Sequence, residues 1–222
     1  MIVLMPPPPD TLPPPLPADT SYLEHVFEHF DLVNIHELDS TVRVKLRYAD
    51  TNNFLHANFY DGLRKAYMVC DMAIRVSNAQ YFLKKYDPAL SLQILDASRP
   101  LHIQQVMWDS LNMNPEEKTK YLSPPEKISL HNYGCAVDVT ITDSTGKPLD
   151  MGTGFDEFTP LSQPKFEEKF LATGQLTDSM VYHRRLLRHV MRSAGLRPIS
   201  TEWWHFSLCT KPVAAARFPV IR

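Results

Sequence analysis

Residues 129–142, SLHNYGCAVDVTIT, decide the fold because they join a polar segment to a run of strand-forming residues. Residues 135–141 are rich in small and β-branched side chains, which predicts a strand. Gly134 predicts a turn immediately before this strand, since glycine adopts backbone conformations that other residues avoid. The sequence DSTG at 143–146 predicts a second turn, and we expect the chain to return after it as a hairpin.

Helix and strand patterns alternate along the rest of the chain. Apolar residues at helical spacing predict helices over residues 63–85, 102–113 and 183–194, of which the last is the final helix and ends at Gly195. Alternating or aromatic-rich patterns predict strands over residues 41–48, 90–94 and 198–208. Because hairpins occur in place of a regular strand–helix–strand repeat, we predict an α+β fold: a single domain with a central, mainly antiparallel sheet flanked by helices.

The composition of the 222-residue chain fits one packed domain and excludes several classes of protein. Hydrophobic residues make up 44% and charged residues 22%, which supports a core and argues against wholesale disorder. The formal net charge of -2 argues against nucleic-acid binding. No segment approaches the roughly 20 apolar residues of a membrane-spanning helix, so we expect no membrane span. The three cysteines, Cys70, Cys135 and Cys209, form no CxxC pair, which indicates a reducing compartment.

Residues 1–20 form a Pro-rich N-terminal arm, and residues 21–222 form a separate folded domain. We expect the arm to be a flexible or surface-bound extended segment; a ligand for a proline-binding module is the alternative. Residues 1–5 are too short for the apolar part of a signal peptide, which is about 7–15 residues long. We therefore expect a cytoplasmic protein, with a periplasmic location as the alternative if a signal peptide was removed before residue 1.

A run of basic residues marks the last predicted helix. The run contains Arg184, Arg185, Arg188 and Arg192. We expect it to form a solvated face, because basic residues are favourable near a helix C-terminus. Nucleic-acid binding by this run does not fit the acidic balance of the whole chain.

Two segments of the sequence combine imidazoles and carboxylates: one holds His131 and Asp138, and the other runs from Glu202 to His205. A catalytic zinc ion needs three protein ligands, one open position and a nearby base that does not bind the metal. His131, Asp138 and His205 can be the ligands, and Glu202 the base. The alternative is that His131 lies in a loop and Asp138 caps a neighbouring element. A thiol ligand, Cys135 in place of Asp138, is a further alternative.

The spacing of these residues requires breaks in the strands. His131 and Asp138 are an odd number of residues apart, as are Glu202 and His205, and a flat strand places such pairs on opposite faces. We expect a turn at Gly134 to redirect the first pair and a bulge or strand end to redirect the second. A carboxylate among the aromatic residues around Glu202 is costly to bury unless it is paired or used in catalysis.

Four motifs, taken together, resemble a known family of zinc enzymes. The segment ending at Asp138 follows S-x-H-x-x-G-x-A-x-D, and the segment ending at His205 follows E-x-W-H. Residues 96–100, DASRP, resemble a D-x-x-R-P element, and residues 151–156, MGTGFD, resemble a segment typical of the dipeptidase branch. The set resembles the zinc D-alanyl-D-alanine dipeptidase family, the VanX-like enzymes, within the D-Ala-D-Ala carboxypeptidase and dipeptidase metallopeptidases. The resemblance covers residues 48–205, nearly the whole folded part.

The resemblance implies a role for each chemically active residue of these motifs. His131, Asp138 and His205 hold one Zn²⁺ per chain, and this zinc site lies at the sheet. Glu202 is the general base and then the general acid of peptide hydrolysis. Arg99 stabilises the transition state.

The resemblance also implies a substrate pocket lined by Asp156, Ser129 and Tyr48. Asp156 would pair with the ammonium group that a free dipeptide carries close to the scissile bond. A peptide extended at its N-terminus lacks that charge and would leave the buried acid unpaired, at a cost of several kcal/mol. By sequence pattern alone, a surface turn residue after Gly152 and Gly154 is the simpler interpretation of Asp156.

The resemblance therefore implies that residues 21–222 are a catalytic domain for zinc-dependent hydrolysis of D-Ala-D-Ala or similar small dipeptides in cell-wall precursor metabolism. The first alternative is a D,D- or L,D-carboxypeptidase or endopeptidase that acts on peptidoglycan stem peptides through an open groove. A zinc-holding binding protein without turnover is the alternative from another class. Intact Glu202 and Arg99 argue against this last alternative, since a pure binding protein needs neither.

Overall fold

The structure, a computed structural model, describes residues 21–222; the Pro-rich arm predicted at residues 1–20 lies outside the described residues. The helices are α1 (Tyr22–His29), α2 (Cys70–Tyr86), α3 (Leu101–Ser110), α4 (Pro115–Lys118), α5 (Glu167–Ala172), α6 (Asp178–Ser193) and α7 (Lys211–Arg217). The strands are β1 (Val33–Asn34), β2 (Arg43–Val44), β3 (Tyr67–Met68), β4 (Ser91–Asp96), β5 (Ala136–Thr142), β6 (Arg197–Pro198) and β7 (His205–Ser207). Within residues 21–222, no helix combines the length and the apolar character that crossing a membrane requires.

A five-stranded sheet lies at the centre of the fold. Its strand order is β2-β4-β5-β7-β6, and only the pair of β2 with β4 is parallel. The other three pairs are antiparallel, and β1 and β3 form a separate two-stranded antiparallel sheet. This architecture confirms the predicted α+β fold, with a mainly antiparallel central sheet flanked by helices.

Strands β4 and β5 form the middle of the sheet, and every residue of both strands is buried. Helices α2 and α6 pack against each other, and they contact β4 and β5 respectively. The side chains of Leu92, Ile94, Val137 and Val139 are inaccessible to solvent. Burial of apolar surface is the main favourable contribution to folding, and close packing makes β5 a rigid support for the polar side chains that it carries.

The helix predicted over residues 63–85 begins later than the sequence pattern indicated. The first part of this segment instead forms β3, which pairs with β1. The Val69 N–H then donates to the Gly134 carbonyl oxygen at 3.0 Å, which holds the start of α2 against the turn before β5. Tertiary pairing therefore overrides the helical spacing of the residues before Cys70.

Two predicted strands are shorter than the sequence pattern indicated, and the predicted hairpin return forms no strand. The strand over residues 41–48 contains only the two residues of β2, because a short 3-10 turn at Arg47–Ala49 follows it. The strand over residues 198–208 is divided into β6 and β7 by a turn that contains Glu202. The hairpin after β5 does return, with an isolated bridge between Thr142 and Pro148, but the returning segment forms no strand.

The helix that ends at Gly195 differs from the prediction in three respects. It begins earlier, at the start of α6, and it is not the final helix because α7 follows. The prediction of a solvated basic face is wrong for Arg184, which is only 1% exposed. Arg185 and Arg192 are exposed as expected, and Arg188 is half-buried. One cation of the basic run therefore points into the protein.

Replacing Gly134 with alanine should destabilise the protein by about 2–4 kcal/mol. Gly134 has a φ of 66°, which strains any other residue, and an added Cβ would lie 3.0 Å from Leu32 Cδ2 and 3.2 Å from the Val69 backbone nitrogen. Gly174 is the matched control, because its φ of 72° is similar but no atom lies within 4 Å of an added Cβ.

Gly174→Ala should cost only the backbone strain, about 1–2 kcal/mol, in urea unfolding followed by circular dichroism. Equal losses of stability in the two variants would contradict close packing as the reason for glycine at position 134.

Candidate active site

Three side chains with metal-ligating atoms converge beside β5. His131 lies in a short 3-10 turn, Leu130–Tyr133, and Gly134 ends this turn in a left-handed conformation. Asp138 lies on β5, and His205 is the first residue of β7. The antiparallel register pairs Asp138 directly with His205, which places their side chains on the same face of the sheet. The turn at Gly134 returns His131 to this face, as the odd spacing of His131 and Asp138 requires.

The ligating atoms of His131, Asp138 and His205 all lie within 4.8 Å of one another. His205 Nδ1 is 3.0 Å from Asp138 Oδ1 and 3.3 Å from His131 Nε2. His131 Nε2 is 3.7 Å from Asp138 Oδ2. Asp138 therefore contacts imidazoles and does not cap a neighbouring element, while the Cys135 thiol lies 3.4 Å from the Tyr133 carbonyl oxygen, to which it donates. Two imidazole nitrogens and one carboxylate oxygen are a donor set typical of catalytic zinc sites.

The surroundings of His131 prepare its side chain for metal binding. His131 Nδ1–H donates to the Ala97 carbonyl oxygen at 2.7 Å. A carbonyl oxygen can only accept a hydrogen bond, so Nδ1 carries the proton and Nε2 keeps its lone pair toward Asp138 and His205. Histidines that bind metals are usually oriented by such a contact on their second ring nitrogen. The residues present therefore fit a divalent metal ion of the zinc type.

The charges within the cluster shift its pKa values in a consistent pattern. Burial opposes ionisation of Asp138, but the neighbouring imidazoles outweigh burial and lower the pKa of this carboxyl. Burial likewise opposes protonation of His205, but the hydrogen bond with Asp138 outweighs it and raises the pKa of this imidazole. At His131 burial dominates and lowers the pKa. A metal ion must compete with a proton at His205, so metal affinity should rise with pH.

Glu202 lies beside the cluster, in the turn that precedes β7. Its side chain is half-buried, and burial is the main cause of a pKa raised to about 7, while His205 and Arg99 act in the opposite direction. A carboxyl with a pKa near neutrality can accept a proton and return it, which suits general acid–base catalysis. The break in the predicted strand 198–208 is what turns Glu202 toward the same cavity as His205.

Arg99 is buried next to the cluster and is held by Asp96. Its Nη2–H donates to Asp96 Oδ2 at 2.5 Å, and its guanidinium lies 5.1 Å from the centre of the Tyr48 ring. Burial would lower the pKa of Arg99, but the charge of Asp96 outweighs burial and raises it, so the guanidinium stays charged. Asp96 therefore fixes both the charge and the orientation of Arg99.

Two residues that support the site have no role in the sequence-based interpretation. Asp96 has no exposed surface and lies 3.6 Å from His131 Nδ1. The hydroxyl of Tyr60 donates to Asp96 Oδ1 at 2.5 Å. The DASRP motif contains a signal for Asp96, because it places an acid close to Arg99 in the chain. Tyr60 gives no local signal, since it is 36 residues from Asp96 and meets it only in the folded chain.

Asp156 reaches the site from the loop between β5 and α5. The Tyr48 hydroxyl donates to Asp156 Oδ2 at 2.8 Å. Asp156 is half-buried, and burial raises its pKa well above the usual range although the Tyr48 bond opposes the shift. Asp156 does occupy a turn, with a φ of 60°, but it lines the interior of a cavity and is not a surface turn residue.

The predicted site residues line one cavity of about 270 Å³, which we call the site cavity. They are Tyr48, Arg99, Ser129, His131, Asp138, Asp156, Glu202 and His205. The roles assigned to these residues stay predictions. Ser129 also supports the turn before β5, because its Oγ lies 3.0 Å from both Gln104 Oε1 and Asn132 Oδ1. Other lining residues, among them Phe158 and Lys211, have no motif in the sequence and reach the cavity through folding.

Comparison with known proteins confirms the resemblance carried by the motifs. Residues 28–221 match the family described as D-ala-D-ala dipeptidase. The D-alanyl-D-alanine dipeptidase of Escherichia coli is 29% identical over 194 residues, which cover 86% of this chain and 89% of that protein. The D-alanyl-D-alanine dipeptidase of Synechocystis is 30% identical over 165 residues, covering 60% and 65% of the two chains. The Streptomyces coelicolor protein of the same name is 23% identical over 196 residues, covering 82% and 93%.

Removing one member of the cluster should abolish tight metal binding. Losing a hydrogen-bond partner of a metal ligand typically weakens metal binding by roughly 10–100-fold. We expect His131→Gln, which removes a ligand itself, to weaken Zn²⁺ binding by more than this. Competition with a chromophoric chelator measures the affinity, which should also rise with pH as the proton leaves His205. The control is His102→Gln, an exposed residue of α3 that does not line the site cavity. Unchanged affinity in His131→Gln would exclude the cluster as the metal site.

Proposed function

The chain belongs to the D-ala-D-ala dipeptidase family of peptidases, and we propose that it is a zinc-dependent dipeptidase that hydrolyses D-Ala-D-Ala or similar small dipeptides. Membership of this family makes the chain a metallopeptidase. The observation that carries the finer proposal is the site cavity of about 270 Å³, where a three-residue metal cluster, the carboxyl of Glu202 and a second half-buried acid, Asp156, meet.

We propose that His131, Asp138 and His205 hold one zinc ion per chain. When bound, zinc supplies a Lewis acid that lowers the pKa of water to about 7 and polarises the amide carbonyl. The chain's own contribution is to keep the three donor atoms within 4.8 Å of one another, so that binding needs little rearrangement. The Ala97 carbonyl contributes as well, because it directs the lone pair of His131 Nε2 into the cluster.

Glu202 carries the proton in this proposal. Attack of water on the amide carbonyl releases a proton, and the carboxylate of Glu202 accepts it. The C–N bond breaks when the leaving amine takes up a proton, and Glu202 returns the same one. A pKa of about 7, raised mainly by burial, suits both transfers near neutral pH.

Arg99 stabilises the negative charge that develops on the carbonyl oxygen as water attacks. A guanidinium does not lose its proton in proteins, so this charge is present throughout the reaction. Asp96 and the Tyr60 hydroxyl hold the charged group in place before the substrate arrives. Groups that are already oriented need no rearrangement when charge develops, and this lowers the activation barrier.

Asp156 receives the ammonium group of the dipeptide. Its carboxyl is largely removed from water and accepts a hydrogen bond from Tyr48. Burial disfavours the ionised form of this carboxyl, and the positive charge of the substrate ammonium favours it. A longer or N-acylated peptide brings no cation to this point and leaves the acid unpaired. The pairing therefore favours free dipeptides over cell-wall precursors with extended N-termini.

We also propose a role in cell-wall precursor metabolism in the cytoplasm. D-Ala-D-Ala is the dipeptide that such precursors contain, which links the proposed reaction to this metabolism. Cys70, Cys135 and Cys209 are free thiols, which is typical of proteins in a reducing compartment.

Glu202→Gln should keep its zinc but lose about 10²–10⁴-fold in turnover. Glutamine has a similar shape, but its amide cannot accept the proton released by water. Zinc content and the rate of D-Ala-D-Ala hydrolysis are measured on the same preparation. Glu116→Gln, at the exposed surface of α4, is the control and should change neither quantity. Loss of zinc from Glu202→Gln would identify Glu202 as a ligand and refute its role as the base.

Blocking the N-terminus of the substrate should abolish hydrolysis, because Asp156 then loses its cation. Asp156→Asn should lower kcat/KM for D-Ala-D-Ala by about 10²-fold or more, since breaking a buried ion pair costs about 3–5 kcal/mol. Asp109→Asn, at the exposed surface of α3, should have no effect.

The panel for this test contains D-Ala-D-Ala, its L,L isomer, the N-acetylated dipeptide and a stem pentapeptide. Comparable rates on the last two would favour the carboxypeptidase or endopeptidase alternative. Binding of the dipeptide to the zinc form without turnover would favour the binding-protein alternative.

A further inference from the structure

Arg184 is a buried cation on α6 that the proposed mechanism does not use, and its side chain has no exposed surface. We propose that Arg184 is a positioning residue for the ammonium subsite: its guanidinium fixes residues 151–162, which we call the specificity loop, and thereby places Asp156. This inference rests on the proposed function, because it gives the structural cause of the preference for a free ammonium group.

The guanidinium attaches both ends of the specificity loop to helix α6. Arg184 Nε–H donates to the Met151 carbonyl oxygen at 2.6 Å, and Nη1–H donates to the Leu161 carbonyl oxygen at 2.9 Å. Nη2–H reaches Thr153 Oγ1, inside the loop, at 3.5 Å. One side chain therefore contacts the start, the interior and the end of the segment that carries Asp156.

Thr153 extends this restraint toward the catalytic side of the site cavity. Its Oγ1 accepts a hydrogen bond from Trp203 Nε1 at 2.8 Å and lies within hydrogen-bond distance, 3.1 Å, of Ser162 Oγ. Trp203 directly follows Glu202 and packs edge-on against Trp204. The specificity loop is thus attached to α6 on one side and to the turn that carries the proposed base on the other.

The specificity loop depends on these side-chain hydrogen bonds because most of it forms no helix or strand, whose backbone hydrogen bonds would otherwise hold it. Residues 151–159, all of which the structure describes, form neither helix nor strand. Asp156 has a φ of 60°, a left-handed conformation that costs a residue with a side chain about 1–2 kcal/mol. A loop with free ends would relax away from this conformation and move the carboxyl away from Tyr48.

The neighbouring acid, Glu167, does not compete with the specificity loop for the N–H donors of Arg184. Glu167 Oε1 lies 3.9 Å from Arg184 Nη1, beyond hydrogen-bond distance. Both oxygens of Glu167 accept hydrogen bonds from Arg188 instead, at 3.0 and 2.7 Å. Burying a guanidinium is costly unless its N–H groups are satisfied. Two loop carbonyls and Thr153 Oγ1 give each of the three guanidinium nitrogens a partner, so the stability of this buried cation and the position of the loop depend on each other.

The planar shape of the guanidinium is what this arrangement requires. Met151 and Leu161 are bound by different nitrogen atoms of one rigid group. Lysine has a single nitrogen on a flexible stem and cannot reproduce the fork of donors. Arg184→Lys is therefore the informative substitution, because it keeps the positive charge and removes only the fork.

Steady-state kinetics of the zinc-loaded full chain on D-Ala-D-Ala test the proposal. We expect Arg184→Lys to lower kcat/KM by about 10²-fold, the size of effect that a 1 Å misplacement of a binding group produces. The loss should lie mainly in KM, with zinc content and the circular dichroism spectrum unchanged. Arg185→Lys is the matched control, because Arg185 is the next residue and pairs with Glu168 at the surface; its kinetic constants should not change.

A double-mutant cycle separates positioning of Asp156 from general support of the fold. If Arg184 acts through Asp156, then Arg184→Lys should change kcat/KM by less than about twofold in the Asp156→Asn background. Losses that multiply in the double variant would overturn the proposal, because Arg184 would then support the enzyme by another route.

Hydrogen exchange provides a readout that needs no substrate. Amides of residues 153–158 should exchange at least about tenfold faster in Arg184→Lys, with exchange in β5 unchanged. Thr153→Val, which removes one acceptor of the guanidinium, should show a smaller increase and replaces the lysine variant if that variant does not fold. Unchanged exchange in the loop would overturn the proposal. If the wild-type chain does not hydrolyse the dipeptide, the proposed function fails, whereas exchange still decides whether Arg184 fixes the loop.

Discussion

The antiparallel pairing of β5 with β7 places Asp138 opposite His205, and the rest of the site is arranged around that pair. Strand β5 is buried along its whole length, so packing on both faces of the sheet fixes the position of Asp138. The left-handed turn at Gly134 then brings His131 back to the same face. A shift of one residue in this register would move one ligand to the opposite face and remove the cluster. The proposed metal site thus depends on the register of the sheet as much as on the chemistry of its donor atoms.

Asp96 connects the central sheet to the charged groups around the cluster. It is the last residue of β4 and pairs across the sheet with Asp138. Its carboxylate accepts hydrogen bonds from Tyr60 and Arg99 and lies 3.6 Å from His131 Nδ1. The charges of Arg99 and Asp96 pair with each other, while the buried Arg99 Nε has no hydrogen-bond partner within the described residues. The fold can therefore hold a permanent cation beside the proposed metal ligands without leaving a charge unpaired.

In the proposed function, chemistry and substrate selection come from different parts of the fold. The metal cluster and Glu202 belong to the sheet and to the turn before β7, whereas Asp156 belongs to the specificity loop. The loop is restrained from outside the sheet, by Arg184 on α6 and by the Trp203 side chain. The metal donors are held by the sheet and the loop by Arg184, and the Trp203–Thr153 hydrogen bond joins the two parts.

The sequence alone was sufficient for the α+β class, for the positions of β4, β5 and α3, and for naming eight residues that line the site cavity. The elements and the residues of the metal cluster depend on local patterns: apolar alternation, a turn glycine and motifs of fixed spacing. Arg99, Asp156, Ser129 and Tyr48 were named only through the resemblance to the dipeptidase family. The start of α2 and the burial of Arg184 could not be predicted in this way. Tyr67 leaves the helical pattern because it pairs with Asn34, and Arg184 faces inward because the specificity loop packs on α6. Only the tertiary structure decides such points, because burial and hydrogen-bond partners are set by segments that are far apart in the chain and meet when the core packs.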